Sequence, residues 1–265
     1  MIGYIGIVLL LWMYILGAKS VMSIVFHDLA PVVKIHKKLG KWGSLAIVLH
    51  PLLITYSYGE GVFYSVLPHI STKFERHVTL GRISLWLIIF TVILSLYFRK
   101  KLGFRTWKYI HYLAYISLPF ALLHVPDIGS QYIKLTVVKG YYIGLVGLFF
   151  VFTVLRIRGL FNLDKHRYTV VSNQKLTAND YLLRLKPDAI AIAPKRGQYI
   201  YLKLGYISED HPFSVTRYNE SNGELFLTYR TFGMFTHVAA HLQPDKKVFI
   251  GGPYGSFTHE IDTNF

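Results

Sequence analysis

The sequence predicts two unlike parts, a membrane-embedded all-α helical bundle of about five transmembrane helices followed by a small antiparallel β-barrel. Three observations carry that expectation. Five uncharged apolar runs fill the first 160 residues, basic residues cluster in alternate connections between them, and from Tyr168 onward short β-branched and aromatic runs alternate with turn residues. Composition agrees, since 52% of the 265 residues are hydrophobic and only 16% are charged, against roughly 25% charged in soluble domains.

The apolar runs are Ile2 to Ala18, Trp42 to Tyr58, Ile83 to Phe98, Tyr109 to Pro126 and Gly140 to Leu155, each 16 to 18 residues long. With snorkelling flanks, each approaches the roughly 20 residues needed to cross a bilayer. The first run has no basic stretch before it and no small-residue cleavage site after it, so it is expected to stay as an anchor.

Orientation follows from the basic residues. Lys19, Lys34, Lys37, Lys38 and Lys41 follow the first run, Arg99, Lys100, Lys101, Arg105 and Lys108 the third, and Arg156 and Arg158 the fifth. The other two connections and the lip of the third run hold only Lys73, Arg76, Arg82, Lys134 and Lys139. The expectation is a multi-pass cell-membrane protein with its N-terminus outside and everything after Arg158 in the cytoplasm. The formal charge of +15 is thereby read as a topology signal, with membrane lipid as the partner and no nucleic acid.

Six runs suggest strands: "YTVVS", "DYLLRLKP", "GQYIYLKLG", "PFSVTRY", "GELFLTYRTF" and "KVFIGGPYG". Short strands at this spacing suit a small barrel, and about 100 residues suffice for one domain. The expected domains are 1–160 and 161–265.

The chain contains no cysteine, which excludes thiolate chemistry and iron–sulfur clusters and leaves redox chemistry to histidine or a bound cofactor. Histidine is costly inside a bilayer and therefore suggests function. The second apolar segment carries His36 and His50, 14 residues apart, and the fourth carries His111 and His124, 13 apart. These intervals span about 21 and 20 Å of helix, so two parallel helices would bring His36 level with His111 and His50 level with His124. A facing histidine pair can supply both axial ligands of a haem, and two stacked haems would make an electron path across the bilayer. The rival reading is polar glue between helices or a proton path; two matched pairs favour haem. The phase fits the second helix, where His50 lies some 40° from His36, but leaves His124 some 140° from His111 on an ideal rod. A distortion at Pro119 is expected to absorb the difference. Arg82 is read as a snorkelling anchor at the outer lip, with attraction of an anionic acceptor or haem propionate as the rival reading. His27, His69 and His77 are read as surface residues.

At these residues the sequence resembles the ferric reductase and NADPH oxidase superfamily of transmembrane flavocytochromes b. The histidine intervals and the "HKKLG" opening of the first histidine helix are similar to that family. So is "HPFSVT" at His211 to Thr216, which resembles the family motif lining the isoalloxazine and ribityl part of FAD in a ferredoxin-reductase-type (FR-type) barrel. "GQYIYLKLG" resembles the strand before it, "RTFGMFTHVA" the helix start that holds the FAD pyrophosphate, and "GGPYGSF" at Gly251 to Phe257 the segment closing the barrel.

The resemblance implies two haem b groups on His36, His50, His111 and His124. It implies FAD on His211, Pro212, Phe213, Ser214, Thr216, Gly233 and Thr236, with Phe213 as a flat apolar surface. The implied activity carries electrons from cytoplasmic FAD through the haems to an outside acceptor, a ferric chelate or dioxygen. The family usually shows six transmembrane helices, and this sequence shows five. The family also continues into a nicotinamide-nucleotide domain that nothing here fits, so NAD(P)H would enter through a further segment or a separate reductase partner. A haem subunit serving a partner reductase and a non-redox transporter are the rival functions.

Overall fold

The computed structural model describes residues 2–18, 21–22, 25–26, 28–128, 133–206 and 208–255. The chain forms two compact units, Met1–Ala18 with Ala30–Thr153, and Lys19–Leu29 with Val154–Phe265.

The first unit is helical: α1 Ile2–Leu16, α2 Ala30–Ser57, α3 Lys73–Ile93, α4 Arg99–Leu102, α5 Phe104–His111, α6 Ala114–Ile128 and α7 Thr136–Leu160. All five apolar runs are thus helical. Two continuous helical stretches, Lys73–Leu102 and Thr136–Leu160, are long and apolar enough to cross a membrane. Helix α3 begins at a capping box, in which Thr72 Oγ1 accepts from the Glu75 N–H and the Glu75 carboxylate accepts from the Thr72 N–H. This satisfies backbone donors that a helix start leaves free.

In this unit hydroxyl side chains share the interior with apolar ones such as Leu11, Val32, Leu118 and Leu122, while many large apolar side chains are exposed. Ser44, Thr79, Ser84, Thr91 and Ser117 are buried, whereas Trp42, Leu45, Leu49, Trp86 and Phe90 are exposed. Hydroxyls serve as interhelical links: Ser84 Oγ donates to the Ser117 carbonyl at 2.8 Å, joining α3 to α6. Close packing and interhelical hydrogen bonds of this kind hold helices together where lipid removes the hydrophobic drive. Pro126, inside α6, has no N–H for the Leu122 carbonyl four residues earlier. The Tyr142 hydroxyl of α7 donates to that carbonyl at 2.6 Å.

The second unit is an antiparallel sheet of β1 His166–Lys175, β2 Asp180–Pro187, β3 Tyr199–Lys203, β4 His211–Ser214, β5 Arg217–Asn219, β6 Glu224–Arg230 and β7 Lys247–Tyr254, with helix α8 Met234–Ala240 before β7. Strand order is β4-β3-β7-β1-β2-β6-β5. Two expectations are corrected here. The sheet has seven strands and is open, so it is not the closed barrel that the strand count suggested. Both differences arise at one corner, where "PFSVTRY" is split between β4 and β5. Val215 N–H donates to the Gln198 carbonyl beside β3, and the next residue, Thr216, donates to the Phe226 carbonyl of β6. Single bonds on either side of a two-residue corner make no ladder, and β4 and β5 remain edges. The core beneath the sheet contains Tyr168, Leu183, Leu185, Ile200, Leu202, Leu225, Leu227, Val248 and Ile250.

Candidate functional site

Near the start of α2 and the end of α5, the rings of His36 and His111 face each other with centroids 6.1 Å apart and planes at 77°. His111 is held by its surroundings. Trp107, one helical turn earlier, stacks on it at 5.0 Å, and Ser95 Oγ lies 3.1 Å from its Nδ1. Trp107 Nε1 also donates to Ser95 Oγ. Ser95 sits in the π-helical segment Leu94–Phe98 that prolongs α3. A π-turn inserts a residue and re-aims side chains, and such turns recur at functional sites. One ring nitrogen of His36, Nδ1, is buried with no hydrogen-bond partner among the described residues.

A local distortion of the helix lies seven residues upstream of the one expected at Pro119. Tyr112 bonds back to both the Lys108 and Tyr109 carbonyls, and Leu113, Tyr115 and Ile116 bond to residues three back. Helix turns of this tighter kind advance about 120° per residue instead of 100°, so four residues move the phase by roughly 80°. That reduces the mismatch between His111 and His124 from about 140° to about 60°. Pro119 itself lies within the continuous α6.

At the second level, His50 and His124 are each set against a glycine. A Cβ on Gly3 would stand 3.0 Å from His50 Cε1, and one on Gly81 would stand 2.5 Å from His124 Nδ1 and Cε1. Position 81 therefore excludes any side chain while His124 holds this pose. His124 Nδ1–H donates to the His77 carbonyl at 2.8 Å, a bond that places the proton on Nδ1 and leaves Nε2 as the free base. His77 is half-buried and fixed, correcting its reading as a surface residue. Its Nε2 meets Asp127 at 2.9 Å, and Asp127 also meets Lys73 at 2.9 Å, so the turn supporting His124 is clipped to the end of α6. His69 likewise packs on Tyr64, at 5.2 Å. Arg82 is buried at 5% exposure and does not snorkel.

In the second unit, β4 carries "HPFS" with its alternation set by pairing to β3. Phe213 is buried in the core, with its ring 5.8 Å from Tyr229 and 5.9 Å from Phe235. The expected flat surface at Phe213 is thus turned inward. Pro212 and Ser214 are exposed on the other face, opposite Tyr201 and Tyr199. There Tyr199, Tyr201 and Tyr254 form a cluster with centroids 5.4 to 5.8 Å apart. Burial, then neighbouring Tyr199, raises the Tyr201 hydroxyl well above its ordinary value. His211 stacks on Phe235 at 3.9 Å, which joins β4 to α8. Gly233 caps α8 as expected. Thr236 Oγ1, however, already accepts from the Phe232 and Gly233 N–H groups at 2.9 and 3.1 Å. Thr216 Oγ1 accepts from the Thr228 N–H at 2.9 Å. Ser256 and Phe257 of "GGPYGSF" lie outside the described residues.

Residues 2–122 match the family model described as ferric reductase like transmembrane component. That stretch of the chain is similar to the family over 121 of the 265 residues. The ferric reductase-like segment ends within α6, so it includes His36, His50 and His111 but stops just before His124. A curated relative, an uncharacterized protein in the adh 3'region of Clostridium beijerinckii, is 29% identical over 97 residues; the match spans 35% of this chain and 33% of the relative. Among solved structures, the ferredoxin reductase in carbazole 1,9a-dioxygenase aligns with 35% of this chain and 29% of its own, at 18% identity and a TM-score of 0.33. The cytochrome b5 reductase domain of Ulva prolifera nitrate reductase aligns with 36% and 41%, at 15% identity and a TM-score of 0.32.

Several residues of the ferric reductase-like segment escaped the sequence reading. Trp107 is four residues from His111, the spacing that puts two side chains on one helix face, and was legible in principle. Ser95 and Gly81 reach their histidines from another helix, and no local pattern marks them.

Proposed function

We propose that this chain is a transmembrane electron-transfer oxidoreductase in which four histidines hold two haem b groups and the sheet unit holds FAD. The observation that carries the reading is the His36–His111 pair. The two rings stand with centroids 6.1 Å apart, close enough that one metal between them would be held by a nitrogen of each. Among the described residues no cluster of three or more His, Cys, Asp or Glu is suited to a bare metal ion. Histidines in pairs would suit a metal already held by a porphyrin. The donors fit: His36 has a buried free ring nitrogen, and His124 exposes Nε2 as a base.

His36 and His111 would hold the inner group, and His50 and His124 the outer one. Ser95 and Trp107 orient His111, the His77 carbonyl fixes the His124 tautomer, and Gly3 and Gly81 admit the two outer rings. On the sheet unit, His211, Pro212, Phe213, Ser214, Thr216, Gly233 and Thr236 would receive the flavin, with the Tyr199, Tyr201 and Tyr254 cluster beside Pro212 and Ser214. When bound, haem supplies one-electron carriers and FAD the exchange between hydride and single electrons. The domains proposed are 1–160 and 161–265, in a multi-pass cell-membrane protein with the N-terminus outside and the sheet unit in the cytoplasm. NAD(P)H is the proposed donor, through a separate reductase partner or a further segment, and a ferric chelate or dioxygen the acceptor.

A second reading, a haem subunit without flavin, is favoured by one observation: Phe213 faces the core. Absorption spectroscopy of the purified protein separates the two. Reduced-minus-oxidised b-type bands with bound yellow flavin support the first reading, haem alone supports the second, and neither chromophore contradicts both.

A further inference from the structure

Arg82 stands out among the buried groups that the proposed electron path does not use. Its residue exposure is 5%. Its Nη1 donates weakly to Thr79 Oγ1 at 3.4 Å, while Nε and Nη2 are buried with no acceptor among the described residues. The acids of the surrounding helices are engaged elsewhere: Glu75 caps α3 at Thr72, and Asp127 pairs with Lys73 and His77. The guanidinium lies 4.6 Å over the Tyr64 ring, which stacks in turn on His69. Thr79 accepts from the His69 N–H and donates to the His69 carbonyl at 2.5 Å. The cation is thus fixed on a cation–π and hydrogen-bonded support, and its chain neighbour Gly81 lies against the His124 ring.

The identity of the two free donors is informative. Nε and Nη2 form the side-on fork of a guanidinium, matched in spacing to the two oxygens of a carboxylate. Two arginines among the described residues use that fork. Arg184 donates from Nε and Nη2 to the two oxygens of Glu224, both at 3.0 Å, and Arg230 does so to Asp180 at 2.8 and 3.2 Å. At Arg82 the same fork is buried, oriented and without an internal acid. A buried charge persists only when paired.

We infer that Arg82, supported by Tyr64 and Thr79, forms a carboxylate-binding site beside the His50–His124 pair. A haem propionate and a free carboxylate anion such as citrate share this chemistry. The first source rests on the reading of His50 and His124 as haem ligands; the second does not.

The test uses the full chain purified in detergent as wild type, Arg82→Lys and Arg82→Gln. Haem per chain, redox titration of the b bands, and the thermal-unfolding midpoint with and without citrate are measured. The expected result is that Arg82→Gln keeps the His36–His111 haem and either loses the second or titrates it at a lower potential, because a cation beside a haem favours the more negative reduced form. Arg82→Lys, which keeps the charge but not the fork, falls between. A rise in the wild-type midpoint with citrate that Arg82→Gln abolishes, with haem unchanged, assigns the site to a free anion instead. A wild type without haem sinks the electron-transfer reading, and the citrate result then decides Arg82 alone. If Arg82→Gln does not fold, Arg82→Lys decides. Variants matching wild type in haem, potential and citrate response overturn the inference.

Discussion

At the scale of single residues, the candidate membrane site depends on what surrounds each histidine. Gly81 is the sharpest case, because any Cβ there meets the His124 ring at 2.5 Å. Gly81→Ala is expected to displace His124, destabilise the bundle by about 1–3 kcal/mol through overpacking, and remove the outer haem while the inner one stays. Haem stoichiometry per chain measures this, and two haems in the variant would contradict it. Ser95 acts on His111 by orientation. Outer-shell partners of metal-bound histidines are worth about 10–100-fold in affinity, so Ser95→Ala should lose inner haem faster to a haem-scavenging protein. A dissociation rate equal to wild type would remove Ser95 from the account. Neither residue is conspicuous in the sequence, since a glycine and a serine in apolar helices are ordinary. Arg82 was visible as a charge at the end of an apolar run, but its burial depends on Tyr64 and the connection before α3 folding over it.

At the scale of elements, the helices were legible as long uncharged apolar runs and the strands as short β-branched and aromatic runs between turn residues. β2 spans Asp180–Pro187, the residues of the "DYLLRLKP" run. The four-histidine pattern was legible as spacing but not as phase. The helix tightens at Tyr112 and Leu113, where hydrogen-bond pattern and not residue type sets the rotation. Phe213 illustrates a different limit. Alternation along "HPFS" allows two parities, and only the pairing of Ile200 with Phe213 turns that aromatic ring inward. Two predictions belong at this scale. Tyr142→Phe should leave the Leu122 carbonyl of α6 without its donor, costing about 1–3 kcal/mol for a buried unsatisfied group; thermal unfolding in detergent reads this, and an unchanged midpoint would mean that another donor replaces it. In the sheet unit, Arg230 and then Thr177 hold the Asp180 carboxyl down at about 2. An unfolded aspartate titrates near 3.9, so a depressed native value stabilises the fold above that pH, and the contribution is lost as pH falls toward 2. Circular dichroism during acid titration should therefore show Asp180→Asn unfolding at a higher pH than wild type, with the curves meeting near pH 2. Curves that coincide throughout would show that the Asp180–Arg230 pair adds nothing.

At the scale of the molecule, two parts with opposite surfaces follow from one change in sequence character after Leu160. The first buries hydroxyls together with apolar residues and leaves many large apolar side chains exposed, as a lipid-facing bundle should; the second buries aliphatic residues under a sheet. The sheet was expected to close, and it stays open because Val215 and Thr216 turn the chain between its edges without building a ladder. The central claim is that the four histidines act as two pairs. Redox difference spectroscopy with haem quantification on His36→Ala, His111→Ala, His50→Ala and His124→Ala tests it most directly. The expected result is two b-type haems per wild-type chain, loss of one and the same spectral component in both His36→Ala and His111→Ala, and loss of the other in both His50→Ala and His124→Ala. Unchanged haem content across the four variants, or losses that do not group by pair, would contradict it.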